Sequence, residues 1–459
     1  MKTIIKNIFL ACILACFAAC KVTKPYSSPQ ISYNNKFRGD STTDTATIAK
    51  LHWKQVFTDT ILQNLIAEGI KNNIDLQKAY SVTRQAQAYF DQSKLAFYPS
   101  VGADASLSLS GTATPKNFST PSKARIYNTE ITASWEADIW GKLKSTKKAQ
   151  LASLLQSDAN ARAVQTALIA DIANNYYNLM ALDRKLAITE ESAKNWQTTV
   201  NTMKSLKVSD VVTGAAVVQS EASKYAVLAT IPDLKQSIWQ TENMLNLLLG
   251  KSPAPVNRSD ISAQQPLSFI NPGVPAQMLA NRPDVMAAEY NFRNAFELTN
   301  VARTYFYPSI SLTGSGGYSS YNSFFGLGSL VGNLSAGITQ PIFNQGLNKV
   351  RLKVAKEQQQ QTLLNFQYTV LSASQDVSNA LMSYRTAGEK AATRIDELQN
   401  LDKSVNYTQQ LVSYGSANYT EVLTAEQNLL TAKLNSVDDR LQQLQAIVYV
   451  YRALGGGWQ

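Results

Sequence analysis

Cysteine is confined to the first twenty residues of this 459-residue chain, at Cys12, Cys16 and Cys20. Beyond them no pair remains for an intramolecular disulfide or a Cys/His zinc site. Histidine occurs once, at His52, which excludes a Ser-His-Asp triad built on any other histidine. With Trp53 beside it, His52 is expected to pack or to sit on the surface. Charged residues make up only 17% of the chain, yet no internal run approaches the ~20 apolar residues of a membrane-spanning helix. A helical span is therefore excluded. The formal net charge is +10, but its only notable cluster is Lys142, Lys144, Lys147 and Lys148, without interleaved aromatics. Such a cluster reads as a solvated helix face or a contact with anionic headgroups, and no nucleic-acid partner is expected.

What is present begins with a leader. Lys2 and Lys6 precede an apolar stretch from Ile8 to Ala19, the pattern of a secretory signal, assigned here to residues 1–19. Phe17-Ala18-Ala19-Cys20 resembles a bacterial lipobox, with Phe17 in place of the usual leucine. Cys20 is the expected site of lipidation; Ile13-Leu14-Ala15-Cys16 is a rival with a shorter apolar region. Residues 20–50, rich in Pro, Ser, Thr and Asn, read as a lipid-anchored, extended lead-in.

The chain also repeats itself. Phe97-Tyr98-Pro99-Ser100 returns 209 positions later as Phe306-Tyr307-Pro308-Ser309, and Asp75, Ala79, Arg84 and Ala86 return at the same offset as Asp284, Ala288, Arg293 and Ala295. This marks a duplicated unit. After each proline the pattern alternates: Val101, Ala103, Ala105, Leu107 and Leu109 are apolar, with polar residues between them. After a Gly/Thr/Pro/Ser-rich loop it resumes with Tyr127, Ile131, Ala133, Trp135, Ala137 and Ile139. The second copy shows Ile310, Leu312, Gly314 and Tyr318, then Leu334, Ala336, Ile338 and Ile342. Two hairpins are predicted, over residues 99–140 and 308–343, each with one apolar face. Asp104, Glu130, Glu136 and Asp138 all fall on the polar face, as they would in a membrane barrel with a wet lumen. A soluble sandwich with inward apolar faces is the alternative. Four strands cannot close a barrel, and lipid tolerates no open edge, so several chains must share one.

Between the hairpins run long helices. Leu363, Phe366, Val370, Ala373, Val377, Ala380 and Tyr384 alternate spacings of three and four, as do Leu430, Leu434, Val437, Leu441, Leu444, Val448 and Tyr451. Residues 141–207 and 346–414 contain no proline, so each predicts one helix on the order of 100 Å long. Pro232 is expected to kink its helix or to begin a fresh segment. The helices are expected to reverse near 209–214 and 414–419. Repeat 1 covers 51–250, a Pro-rich connector 251–275 and repeat 2 276–459.

Several motifs now stand in order: Ser134-Trp135-Glu136-Ala137-Asp138-Ile139-Trp140-Gly141, Asn281-Arg282-Pro283-Asp284, Gln340-Pro341-Ile342-Phe343 with Gly346, and Ala453-Leu454-Gly455-Gly456-Gly457-Trp458. With these the chain resembles the TolC-like outer membrane efflux proteins, in their lipid-anchored branch. The resemblance implies a mainly α fold with a transmembrane β portion. A homotrimer would form a twelve-stranded barrel and a twelve-helix periplasmic tunnel, in contact with outer-membrane lipid. It implies a periplasmic adaptor and an inner-membrane pump of the RND type as partners, and a passive channel with no enzymatic activity, cofactor or metal.

The resemblance also makes the second turn a gate, with Glu421, Tyr414 and Asn418 as its candidate residues. Thr424 stands where the family often has a second acid, which leaves one carboxylate per chain. Asp210 and Gly214 in the first turn, with Gly415 and Ser416 in the second, are the candidate adaptor contacts. Two rivals remain open: a channel for type I protein secretion, and a coiled-coil lipoprotein with no pore.

Overall fold

The structure, a computed structural model, describes residues 22–30, 48–111, 123–265, 281–321, 324, 328–414 and 418–458. Cys20, Gly415 and Ser416 lie outside the described residues. In chain order the elements are α1 Trp53–Val56, α2 Thr60–Asn72, α3 Ile74–Leu95, β1 Ser100–Gly111, β2 Lys123–Glu136, α4 Lys142–Val208 and α5 Gly214–Leu248. The second copy supplies α6 Pro283–Thr304, β3 Ser309–Tyr321, β4 Gly328–Thr339, α7 Leu347–Ser413 and α8 Tyr419–Ala453.

The duplication governs element lengths. Helices α3 and α6 each hold 22 residues, α4 and α7 each 67, and α5 and α8 each 35. Up to the hairpins the copies are offset by 209 (Ile74 to Pro283, Ser100 to Ser309). After them the offset is 205 (Lys142 to Leu347, Gly214 to Tyr419), so the second hairpin is four residues shorter. Pro232 does not end α5, which runs unbroken through it. A proline lacks the amide that would bond the carbonyl four residues back, here that of Leu228. Leu228 lies on an exposed part of the helix, where water can take that place.

Two compact units draw on both copies. One holds the four strands and the adjoining parts of α3, α4, α6 and α7. Its core is built from small and aromatic residues, Ala149, Ala152, Phe292, Ala295 and Phe366. The segment 22–30 is strapped to α6: Lys24 N donates to Asn300 Oδ1 at 3.0 Å and Asn300 Nδ2 returns a bond to Lys24 O at 2.9 Å. Tyr26 packs edge-on to Phe296, and Ser28 Oγ donates to Glu289 at 2.6 Å.

The other unit holds α1, α2, α5, α8 and the helical turns. The heptad residues Val370, Ala373, Val377 and Ala380 of α7 and Leu430, Val437, Leu444, Val448 and Tyr451 of α8 are buried, as their spacing predicts. The connector is pinned by polar side chains. Asp59 accepts bonds from Tyr176 at 2.7 Å, Ser259 at 2.5 Å and Gln264 at 2.7 Å. Burial opposes its ionisation, but hydrogen bonds from Ser259, Tyr176 and the amides of Ile61 and Leu62 outweigh this and hold the carboxyl below its ordinary range. Arg258 forks onto Asp183 at 2.6 and 2.9 Å and also reaches Glu242. His52 caps α1, accepting from Lys54 N at 3.2 Å.

Each copy closes by the same contact. Asn73 Nδ2 donates to Leu248 O, the last residue of α5, at 2.9 Å. At the matching place Arg282 donates to Ala453 O, the last residue of α8, at 3.0 Å, while forking onto Asp284. The glycine two residues beyond each helix turns the chain at positive φ, 68° at Gly250 and 88° at Gly455. A Cβ there would lie 2.7 Å from Asn72 O and 2.6 Å from Asn281 O respectively. Only glycine meets both demands. Thus Gly455→Ala is expected to destabilise the detergent-solubilised protein by about 1 kcal/mol or more, read as a lower Tm. Gly214→Ala, whose Cβ would meet only the Lys207 side chain at 3.7 Å, is expected to leave Tm nearly unchanged.

Candidate functional site

The four strands form one antiparallel sheet in the order β1-β2-β3-β4. Residues directly opposite across an antiparallel ladder share a face, so the register decides whether the predicted alternation becomes a wall. Val101 faces Ala133, Ala103 faces Ile131 and Leu107 faces Tyr127. Trp135 faces Leu312 and Ala133 faces Gly314, and the row continues with Ile310 opposite Ile338, Leu312 opposite Ala336 and Gly314 opposite Leu334. One face is therefore mainly apolar across all four strands, broken by Thr129, by Ser320 and, opposite Leu109, by Arg125, and Val101, Leu109, Leu334 and Ile338 lie more than two-thirds exposed on it. The other face carries serine, threonine and asparagine, with Ser319 Oγ bonded to Asn128 Oδ1 at 2.7 Å. Asp104 and Glu130 lie directly opposite one another there.

The other two acids are engaged differently. Glu136, the last residue of β2, pairs with Lys142 at 3.0 Å. Asp138 lies past the end of β2, and its two oxygens accept from Leu143 N at 2.8 Å and Lys144 N at 2.9 Å. Asp138 thus lies beyond the strand on which the alternation placed it and starts α4 by satisfying amides of the helix's first turn. Ile342 likewise lies beyond β4 and is fully exposed. Alternation in the sequence overran both strands by a few residues.

The repeated Phe-Tyr-Pro-Ser element is the hinge between helix and strand. Its second residue closes a tightened last turn in each copy, Tyr98 N to Leu95 O at 2.9 Å and Tyr307 N to Thr304 O at 3.0 Å. The returning strand then ties each motif down. Trp135 Nε1 donates to Phe97 O at 2.9 Å and Gln340 Nε2 to Phe306 O at 3.4 Å. Trp140 Nε1 donates to Pro308 O at 2.7 Å and its ring lies 4.9 Å from that of Tyr307. Lys142 and Arg351 both lie over the ring of Tyr305. Aromatic rings with cations around them at a strand end are the composition of a membrane–water boundary.

At the helical turns, Asp210 adopts φ 53°. Asp210 N bonds Lys207 O at 3.1 Å and Val211 N bonds Leu206 O at 3.0 Å, the paired bonds of a helix C-terminus closed by a left-handed residue. Gly214 opens α5. In the second turn Asn418 is the N-cap of α8, its Oδ1 accepting from Thr420 N at 3.1 Å and Thr420 Oγ1 at 2.9 Å. Glu421 sits exposed in the first turn of α8, where the helix dipole favours a negative charge. Tyr414 is highly exposed. Just behind the turns, Met203 of α4, Ala216 and Val217 of α5, Val412 of α7 and Val422 of α8 pack together, with Leu206, Val212 and Tyr419 around them. Four helices of one chain meet in that cluster.

A further acid, Glu426 of α8, is buried behind it and accepts from Thr199 Oγ1 at 2.7 Å and Gln409 Nε2 at 3.0 Å. Sequence reasoning missed it. The available signal was a carboxylate four residues from both Val422 and Leu430, on the apolar side of its helix.

A one-faced sheet joined to 67-residue helices that reverse in short turns defines a channel-forming outer membrane fold. The model of the family described as outer membrane efflux protein matches residues 65–251 and 274–456, and the chain belongs to that family. Among known proteins it is 29% identical over 414 residues to the cation efflux system protein CusC of Escherichia coli O6:H1, covering 89% of this chain and 88% of that protein. It is also 29% identical over 418 residues to the toluene efflux pump outer membrane protein TtgF of Pseudomonas putida, covering 89% and 86%. The open-state structure of the MtrE outer membrane channel of Neisseria gonorrhoeae superposes with a TM-score of 0.85 at 26% identity, covering 96% of this chain and 99% of that one.

In planar bilayers, Asp104→Asn and Glu130→Gln, alone or together, are expected to lower the preference for cations over anions without changing Tm. Asp138→Ala is expected to do the opposite: about 1 kcal/mol of stability is lost with the cap, and ion preference stays as it was.

Proposed function

We propose that this chain is the outer-membrane channel of a tripartite efflux pump and that three copies build the pore. Three four-stranded sheets give a twelve-stranded barrel, and three sets of four long helices give a twelve-helix periplasmic tunnel. The observation that carries this reading is the sheet itself, which has one apolar face and two unpaired edges, β1 and β4. Hydrocarbon accepts such a sheet only when it is closed, and cyclic symmetry closes it most simply. The helices support the same reading. Leu364, Tyr368 and Leu371 of α7, at spacings of four and three, and Met382 eleven residues on are more than half exposed, on a stripe beside the buried one that Gln375 and Ser378 interrupt. A second copy of the chain would cover it.

Small molecules pass outward through this pore, driven by an inner-membrane pump of the RND type through a periplasmic adaptor docked on the turns at Asp210, Gly214, Gly415 and Ser416. The chain itself catalyses no reaction. Relatives exporting cations and toluene are equally similar to it, which favours the pump as the selector of drugs, toxic compounds or metal ions. Cys20 carries the acyl anchor. Supporting this, Thr23 packs beside Gly141 at the start of α4, where a Cβ on the glycine would lie 3.3 Å from Thr23 Cγ2. Cys20 precedes Thr23 by three residues in the chain.

Reconstituted protein is expected to give stable conductance in planar bilayers, and loss of the protein is expected to raise drug or metal susceptibility only while adaptor and pump are present. Absence of conductance would favour the poreless coiled-coil lipoprotein, and loss of peptide export instead of drug efflux would favour type I secretion. Cys20→Ala is expected to abolish acyl labelling; labelling that persists would move the anchor to Cys16.

A further inference from the structure

Glu426 lies one and a half helical turns behind Glu421 and differs from it in every physical respect. It is 9% exposed. One oxygen, Oε1, accepts from Thr199 of α4 and Gln409 of α7, so this side chain joins three of the four helices that meet behind the turns. The other oxygen, Oε2, is buried with no hydrogen-bond partner. The residue borders a cavity of about 270 Å³ whose wall includes Trp196, Ser192 and Asn195. Trp196 is 1% exposed, and its Nε1 donor is also buried without a partner. The other charged groups on this cavity are Glu191 of α4 and Lys433 of α8, which pair with each other at 3.6 Å; none of the charged groups there is bonded to Glu426.

This geometry suits a carboxylic acid better than a carboxylate. In the neutral acid Oε1 keeps both of its donors and the proton occupies Oε2, the oxygen nothing else bonds. When ionised, Oε2 bears charge in a place where no group donates to it, which is costly until water or the Trp196 N–H reaches it. We propose that Glu426 is the positioning residue that sets whether the turns open: neutral, it clamps α8 to α4 and α7; ionised, it admits water to the cavity and lets α8 swing outward. This rests on the reading of the turns as the gated end of the channel.

The direction follows from linkage. Burial raises the proton affinity of Glu426, with the bonds from Thr199 and Gln409 acting weakly the other way. An opened turn would return the side chain to water and to an ordinary carboxylate pKa. The closed arrangement therefore binds the proton more tightly, so closure is favoured in acid. It weakens as pH rises from the ordinary carboxylate value through the raised one.

The test is conductance of the reconstituted wild-type channel from acidic to neutral pH, followed together with the emission of Trp196 by difference against Trp196→Phe. Wild type is expected to open as pH rises, with Trp196 emission moving to the red as water enters. Glu426→Gln, a neutral side chain of the same shape, is expected to stay in the low-conductance state and lose the pH dependence. Glu421→Gln is expected to keep it. Thr199→Val removes a bond that favours the ionised form and is expected to move the midpoint to higher pH, a shift that a merely structural clamp would not produce. An unchanged pH profile in Glu426→Gln, or a Thr199→Val midpoint equal to wild type, would overturn the proposal. Absence of conductance in wild type at every pH would instead count against the channel reading, while the Trp196 emission would still report on Glu426.

Discussion

An unpaired backbone amide or carbonyl in hydrocarbon costs several kcal/mol, and the four-stranded sheet presents a row of them along β1 and another along β4. Almost everything else in the molecule can be derived from that. The apolar face can meet lipid only if the edges disappear, and one chain has too few strands to bend round on itself. In the proposed assembly lipid would cover Val101 and Leu334 on the sheet, and a neighbouring copy would cover Tyr368 and Leu371 on α7, all of which lie exposed on the single chain.

Duplication is the economical way to build such a part. The two copies differ by four residues in the hairpin and by none in the lengths of their three principal helices. Equal lengths keep the two helical turns of a chain level with each other, so that Met203, Val217, Val412 and Val422 can meet in one cluster. The copies also share their closing contact, although it is made by an asparagine in one and an arginine in the other. The hinge repeats as well, with a proline releasing each helix into its strand and a side chain from the returning strand holding the turn.

Much of this was legible in the sequence because it is periodic. Period two marked both faces of the sheet, and spacings of three and four marked the buried seams of α7 and α8. The repeated Phe-Tyr-Pro-Ser located both hinges. What was not legible depends on geometry that periodicity does not encode. Asp138 continues the alternation of β2, yet two amides of the next helix claim its carboxylate. Pro232 looks like a break, yet an exposed stretch of helix tolerates the missing bond. Nor does spacing show that Asn418, a gate candidate, caps α8. Glu426 is one polar residue among many until Thr199 and Gln409, 227 and 17 positions away, are brought onto it.

In the proposed barrel, β1 of one copy pairs with β4 of the next. The most direct measurement places single cysteines along β1 and along β4 of the mature chain, on matching faces, and tests for disulfides between copies in native outer membranes. Cross-linked trimers that form only at one register of β1 against β4 are predicted, resolving as covalent trimers after denaturation. Intramolecular β1–β4 cross-links in a monomer, or no cross-link at any register, would contradict it.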